Sequence, residues 1–136
     1  MDEGLILETT FLIDLERELR RGEQGPVQDF LDEHATVRLY ITFTVAGELA
    51  AGKSLSDRSR WEEFLAPFHV LGASPEVWWE YGVIFRHLQE NGVLIGANDI
   101  WIAATAIAHG VPVVTRNADH FRRIPGLEVV GYSRST

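Results

Sequence analysis

The 136-residue sequence contains no cysteine. Disulfide bonds and thiolate metal sites are therefore excluded, and a chain without disulfides fits a reducing compartment. No apolar run approaches the roughly 18 residues that a membrane-spanning helix requires. The first residues also lack the basic and apolar pattern of a secretion leader. We therefore expect a cytoplasmic protein without a membrane anchor.

Positive charge is scarce in this sequence. The chain has 12 lysine and arginine residues against 20 aspartate and glutamate residues, and its formal net charge is −8. Lys53 is the single lysine. General affinity for nucleic acid depends on neutralising phosphates, so the overall charge argues against it. An acidic protein can still act on a polyanion when its carboxylates hold metal ions and arginines lie nearby. The overall charge therefore leaves the class of partner open.

Short apolar segments alternate with segments of helical periodicity along the chain. The apolar segments predict strands at residues 4–8, 37–42, 69–72, 111–115 and 127–132. Helix start and stop signals frame the segments between them, with Thr9 or Thr10 expected to cap the first helix and Asn98 a later one. Alternating strands and helices indicate a parallel sheet flanked by helices. We predict a single α/β domain over residues 1–136, a three-layer α/β/α sandwich with a mainly parallel central sheet.

Four carboxylates fall where such a sheet collects functional residues. Glu8 ends the first strand, Asp119 follows the strand at residues 111–115, and Asp99 lies in the first turn of the helix before that strand. Glu48 lies among alanine and leucine residues of another helix, where we expect it to face water or a partner. Sites in open parallel sheets lie outside the carboxyl ends of the strands. Acids gathered there would need a cation, and oxygen ligands suit Mg²⁺ or Mn²⁺.

Three of these acids also have an ordinary structural explanation. Asp99 matches an acid at a helix N-terminus, Asp119 a turn residue that bonds its own backbone, and Glu48 an exposed helix residue. Glu8 lacks one, because nothing in strand or helix propensity favours a carboxylate directly after a short apolar strand. The four acids together are therefore better evidence for a site than any one of them.

Four segments of the sequence carry a family resemblance: LILETTFLIDL, TVAGELAAG, ANDIWIAATAIAHGVPVVTRNADHF and LEVVGY. In order and spacing they resemble the motifs of PIN-domain ribonucleases, and in particular the VapC toxins of bacterial toxin–antitoxin pairs. The pairing of ND.WIAATA with VVTRN..HF is specific to that family. Residues 24–38 and 54–88 match it in size and placement only.

The resemblance implies a metal-dependent endoribonuclease that cleaves RNA phosphodiester bonds. It implies Mg²⁺ or Mn²⁺ held by Glu8, Asp99 and Asp119, with Glu48 completing the catalytic set by filling the metal shell or orienting water. It further implies a homodimer and an antitoxin whose segment lies across the helices and reaches the acidic site. The residues that would support the site are Thr10, Thr115 and Asn117.

Glu8 is where the sequence departs from the family, whose first strand ends in aspartate. The extra methylene moves the carboxylate by about 1.5 Å, and Mg²⁺ tolerates such shifts poorly. A catalytically weak PIN-like module that binds RNA or an antitoxin without cleaving is therefore the alternative. Asp14 could be imagined as a replacement, but its mid-helix position beside Arg17 and Arg21 predicts that it is exposed.

Several remaining features have two explanations. Haloacid-dehalogenase-type phosphatases and phospho-receivers also use acids at strand ends, but this sequence lacks their Asp-x-Asp or late lysine.

His120 could touch substrate, although a surface histidine is expected. Trp78 and Trp79 point about 100° apart on a helix; core packing is expected, with a partner surface as the alternative. Three arginines near the acids could bind RNA phosphates or serve as solubilising surface residues: Arg116, Arg122 and Arg123.

Overall fold

The computed structural model describes residues 4–132, and within them five parallel strands form one sheet. Its order is β3-β2-β1-β4-β5, which places the first strand of the chain in the middle. The parallel sheet confirms the predicted α/β class. The strands are β1 (Gly4–Leu7), β2 (Arg38–Thr42), β3 (His69–Leu71), β4 (Val113–Thr115) and β5 (Val129–Gly131).

Helices cover both faces of the sheet. Every residue of β1 and of β4 is buried, and side chains of a strand point alternately to opposite faces, so neither face of the sheet centre meets solvent. This is the three-layer arrangement that the sequence predicts. The helices are α1 (Thr9–Arg21), α2 (Pro26–Glu33), α3 (Phe43–Ala51), α4 (Arg58–Leu65), α5 (Pro75–Glu90), α6 (Ala97–His109) and α7 (Ala118–Phe121), with a 3₁₀ turn at Lys53–Leu55.

The register of the two central strands determines which loops meet. Ile6 lies opposite Val113 and Leu7 opposite Val114, and the backbone N–H of Glu8 donates to Val114 O at 3.0 Å. The β1–α1 junction therefore lies beside the β4–α7 junction, at the carboxyl edge where parallel sheets place their sites.

Helix α1 shows how the local sequence holds these elements. Phe11 and Leu12 are fully buried, and the helix ends at Gly22 in the left-handed region with φ 66°, as the sequence predicts. Its Glu18 carboxylate accepts hydrogen bonds from the backbone N–H groups of Gly25 and Val27 at 3.1 and 3.0 Å. One helix thus caps the start of the next, α2.

Two predicted helix caps are wrong. Glu8 rather than either threonine is the N-cap of α1, and its carboxylate accepts from the backbone N–H of Thr10. A carboxylate can satisfy this N–H as well as a hydroxyl can, and it also suits the positive helix end. Helix α6 begins earlier than predicted, with Gly96 as N-cap. The Asn98 side chain bonds to Glu48 instead.

The tryptophan pair also differs from the expectation of core packing. The buried side chains of α5 are those of Val77, Ile84 and Leu88, whereas Trp78 and Trp79 are 58% and 65% exposed. The buried stripe is filled without either ring, so both lie on the outer face of α5. Among the helices described, none has both the length and the apolar character that crossing a membrane demands.

Candidate active site

Glu8 is buried at the junction of β1 and α1, with an exposed fraction of 3%. Its Oε1 accepts hydrogen bonds from the Thr10 and Thr115 hydroxyls at 2.8 and 2.5 Å, and its Oε2 accepts from the Thr10 N–H at 2.9 Å. A carboxylate offers about four acceptor directions. These contacts use three and leave one on Oε2.

Glu48 connects three helices next to this junction. Its Oε1 accepts from the Thr9 hydroxyl at 2.7 Å and from the Asn98 side-chain amide. The residue as a whole is exposed, as predicted for an acid among alanines. Asn98 Oδ1 is buried and has no hydrogen-bond partner within residues 4–132. An acceptor of this kind beside Asp99 is suited to a cation or to a water molecule on one.

Asp99 and Asp119 line one cavity of about 650 Å³. Asp99 Oδ2 lies 3.0 Å from His120 Nε2, and both side chains are about one-third exposed. Asp119 is fully exposed and accepts from Arg122 Nη1 at 3.2 Å. The cavity thus combines two carboxylates with a histidine from α7, and its lining residues are Asp99, Arg116, Asn117, Ala118, Asp119 and His120.

Asp14 is buried, with an exposed fraction of 7%, so the prediction that it is exposed is wrong. Its two carboxylate oxygens accept from Arg116 Nη1 at 2.9 and 3.1 Å, and Oδ2 also accepts from the Tyr132 hydroxyl at 2.8 Å. Partners 102 and 118 residues away compensate the charge. Neighbouring residues in the sequence cannot reveal such distant partners. The arginines that flank Asp14 therefore predict, wrongly, that its side chain is exposed to solvent.

Burial of the Tyr132 ring, followed by its hydrogen bond to the Asp14 carboxylate, raises the pKa of the Tyr132 hydroxyl well above its usual range. Both effects disfavour a phenolate, since it would lie partly out of water and against a negative charge. Tyr132 therefore remains a proton donor to Asp14.

The pattern of the whole chain matches a known family. A family model described as PIN domain matches residues 5–127. The chain belongs to the PIN domain family.

Relatives of this PIN domain extend over nearly its full length. It is 33% identical to Ribonuclease VapC1 of Rickettsia felis, over 96% of this chain and 97% of the relative. It is 32% identical to Ribonuclease VapC of Rickettsia bellii, over 93% and 95% of the two chains. Among solved structures it resembles VapBC2 of Rickettsia felis bound to a promoter DNA fragment, with a TM-score of 0.81, 25% identity and coverage of 95% and 98%. DNA-bound VapBC of Salmonella typhimurium gives a TM-score of 0.82 at the same identity and coverage.

The structure of this PIN domain brings the predicted site residues together in two adjacent sets. Glu8 bonds to Thr10 and Thr115, the Asn117 N–H donates to Thr115 Oγ1 at 3.0 Å, and the Asp99–His120 pair lies on the cavity with Asp119. Within residues 4–132, no three histidine or acidic side chains are placed to share one ion. The metal-binding role of these acids stays a prediction.

The donor chemistry of this PIN domain fits a divalent ion. Asp99 and Asp119 offer carboxylate oxygens to one cavity, Glu8 retains one acceptor direction, and Asn98 Oδ1 is a buried acceptor without a partner in the described part of the chain. Hard oxygen donors of this kind are the ligands of Mg²⁺ and Mn²⁺.

The sequence pattern missed Thr9, Asn98 and Tyr132 as members of the site region. For Thr9 and Asn98 a signal existed, because each directly precedes or follows a residue of the predicted set. The sequence favours Asn98 as a helix cap and Thr9 as one of two candidate caps, since capping is the commoner role of these residue types. Tyr132 carried no signal, since an aromatic residue at the end of a strand is ordinary core composition.

Proposed function

We propose that this PIN domain is a divalent-metal-dependent endoribonuclease and the toxin of a toxin–antitoxin pair. One observation carries the proposal: the β1–α1 and β4–α7 junctions meet, with Glu8 bonded to Thr115 and with Asp99 and Asp119 on the adjoining cavity. Relatives named as VapC ribonucleases that match nearly the whole chain support it.

Asp99, Asp119 and the remaining acceptor direction of Glu8 are the proposed metal ligands; within residues 4–132 these three carboxylates do not yet converge, so the proposal requires their side chains to turn toward the ion when it binds. These residues would hold a divalent ion, which would supply an activated water molecule and a polarised phosphate. Glu48, anchored through Oε1 by Thr9 and Asn98, presents its other carboxylate oxygen to orient the attacking water.

The supporting residues hold these acids in place. The Thr10 and Thr115 hydroxyls fix Glu8, and the N–H of Asn117 fixes the Thr115 hydroxyl in turn. A carboxylate held by three donors keeps one orientation, and a phosphodiester site requires this.

Arg122 and Arg123 are the proposed contacts for RNA phosphates. Both are exposed at the end of α7. Arg122 Nη1 donates to Asp119 Oδ1 at 3.2 Å, which places its guanidinium at the rim of the cavity. Arg116, the third arginine of the predicted set, is paired with Asp14 instead, so we assign it a different role below.

The antitoxin is proposed to lie in an apolar groove between α1 and α4. This cavity of about 520 Å³ has an apolar floor that includes Leu15, Leu19 and Phe64, and its charged lining is balanced, with the acids Glu16 and Glu63 beside the arginines Arg20 and Arg60. An amphipathic segment would place its apolar side on this floor, and basic side chains on its outer side would suit the net charge of −8. A homodimer and a cytoplasmic location complete the proposal, and the exposed Trp78 and Trp79 make the outer face of α5 the surface to test for dimer contacts.

RNA cleavage by the purified chain tests the nuclease proposal. We expect cleavage of a mixed-sequence RNA with Mg²⁺ or Mn²⁺, none with EDTA, and recovery when the ion is restored. Asp99→Asn should remove the activity, whereas Glu62→Gln, which alters an exposed ion pair on α4, should not. Cleavage that persists in EDTA, or in the Asp99 variant, would overturn the proposal.

The non-cleaving module remains the second candidate because of Glu8, although the ribonuclease relatives do not favour it. Replacing Glu8 with aspartate separates the two. If the native chain cleaves RNA, the catalytic proposal stands. If cleavage arises only in Glu8→Asp, the native chain is the binding module.

A further inference from the structure

Arg116 is attached to helix α1 at two points. Its backbone N–H donates to Thr10 Oγ1 at 3.3 Å, and its guanidinium donates to both oxygens of Asp14 at 2.9 and 3.1 Å. Thr10 and Asp14 are four residues apart and therefore lie on the same face of the helix. The main chain and the side chain of Arg116 thus hold one loop against one helix face.

Asp14 is the centre of this attachment. A carboxylate that is 7% exposed must be compensated, because an uncompensated buried charge is costly. Arg116 supplies the opposite charge at hydrogen-bonding distance, and Arg17 Nη1 lies further away, at 3.7 Å from Oδ1. Tyr132 donates a third hydrogen bond, at 2.8 Å. Asp14 thereby joins α1 to residues that follow two different strands, β4 and β5.

The Tyr132 ring is fixed by aromatic contacts. It meets Phe11 edge-on, with ring centroids 5.0 Å apart and planes at 81°, and Phe30 at 6.4 Å. Such packing directs the hydroxyl toward Asp14 without a freely rotating side chain. Since the hydroxyl remains protonated, the donor does not vary with pH in the physiological range.

The held loop leads directly to the proposed site. Thr115 bonds to Glu8, and Asn117 is the N-cap of α7, the short helix that carries Asp119 and His120. A shift of Arg116 therefore moves the residues on both of its sides. Small displacements matter here, because misplacement by about 1 Å can reduce a rate by about 100-fold.

We propose that Asp14, assisted by Tyr132, is a positioning residue that fixes Arg116 and thereby residues 115–117 and the start of α7. It also keeps the Arg116 guanidinium from binding RNA phosphates. The kinetic part of this inference rests on the proposed nuclease function, whereas the positioning itself can be measured without RNA.

The kinetic experiment compares wild type with Asp14→Asn, which keeps the side-chain size and removes the charge. We expect kcat to fall by about 10- to 100-fold, because the loop and α7 lose their fixed place. We expect KM to fall as well, because the released guanidinium can bind phosphate. A loss of folded protein lowers apparent kcat without tightening KM, so the paired change identifies positioning.

Two further variants and one control sharpen the kinetic result. Tyr132→Phe keeps the ring and the ion pair, so we expect kcat to fall less, by about threefold, in line with the loss of one hydrogen bond. Adding Arg116→Gln to Asp14→Asn should abolish the decrease in KM, because no guanidinium is left to bind RNA. Glu62→Gln removes an acid from an exposed acid–arginine pair and should change neither constant.

Amide hydrogen exchange of the full chain, followed by NMR without RNA or metal, tests the positioning directly. In Asp14→Asn the amides of Arg116 and Asn117 should exchange at least tenfold faster, whereas those of Val113 and Val114 in β4 should be unchanged. Unchanged exchange at residues 116–117, or equal acceleration throughout β4, would overturn the proposal. If the wild type cleaves no RNA, the nuclease proposal fails, and the exchange result alone decides the role of Asp14.

Discussion

Glu8→Gln tests whether the carboxylate that ends β1 holds the junction together. The variant keeps the size and shape of the side chain but replaces one oxygen with an NH₂ group and removes the charge. Its remaining oxygen can still accept from the Thr10 and Thr115 hydroxyls. The new NH₂ group then faces the Thr10 N–H, which donates to Glu8 Oε2, so two donors oppose each other.

The cost follows from these three contacts. Loss of the helix cap is worth about 1 kcal/mol. Each hydroxyl bond changes from a charged to a neutral acceptor and weakens by about 1 kcal/mol. The free energy of unfolding should therefore fall by about 3 kcal/mol, and for a domain of this size Tm should fall by about 10 °C. Relief of repulsion among the acids is reduced by salt, so the measurement belongs at physiological ionic strength.

Thermal unfolding in EDTA, followed by circular dichroism, measures this effect, with Glu62→Gln as the exposed control. A Tm that is unchanged or higher in the Glu8 variant would refute the structural role of the carboxylate. A second series with saturating Mn²⁺ then tests the metal role, since ligands that bind the folded state raise Tm. If Glu8 is also a ligand, Mn²⁺ should raise the Tm of wild type more than that of the variant.

Three further predictions concern other residues. The pKa of the Tyr132 hydroxyl in the folded protein is raised above its usual value of about 10. The hydroxyl therefore contributes fully to the free energy of unfolding below pH 10, and this contribution is lost as pH rises further. Tyr132→Phe should remove this alkaline loss of stability. The difference between wild type and variant in urea unfolding should decline above pH 10 by less than about 1.4 kcal/mol per pH unit, since the ring is partly exposed; a difference that does not vary with pH would contradict the assignment. Glu18→Gln should lower the free energy of unfolding by about 2 kcal/mol in urea unfolding, because its carboxylate accepts the N–H groups of Gly25 and Val27; a loss below about 0.5 kcal/mol would show that the cap is dispensable. Asp99→Asn should lower kcat for RNA by about 100-fold or more while Tm in EDTA stays within about 2 °C, because its carboxylate is part-exposed and its role is chemical; a large loss of Tm would indicate a structural role instead.

The sequence predicts the fold well because its signals are local. Short apolar strands, helical periodicity and terminal glycines such as Gly22 and Gly110 each depend on a few neighbouring residues. The edge at which the acids lie also follows, because parallel strands end on one side. Contacts that join distant segments are different: the Asp14–Tyr132 bond spans 118 residues, and the Glu48–Asn98 bond spans 50. No periodicity encodes them, so the burial of Asp14 and the role of Asn98 are predicted wrongly. The cap of α1 is a local exception, because Glu8 accepts from the N–H of Thr10 only two residues away, a position where the hydroxyls of Thr9 and Thr10 are the commoner choice.

The long side chain of Glu8 and the buried carboxylate of Asp14 serve the same contact between the start of α1 and the loop after β4. Both carboxylates belong to the β1–α1 segment, and both bond to residues of the loop after β4, Glu8 through Thr115 and Asp14 through Arg116. An aspartate in place of Glu8 has a shorter reach by about 1.5 Å, so it could not keep both the Thr10 cap and the Thr115 bond without a shift of the backbone. A chain with Glu8 can therefore add a side-chain bond to Thr115 to the backbone bond that joins the two junctions, from the Glu8 N–H to Val114 O, without moving the backbone. Because the Asp14–Arg116 pair holds the same loop from the other side, weakening either carboxylate should increase the effect of losing the other, and the double variant should be less stable than the two single effects predict.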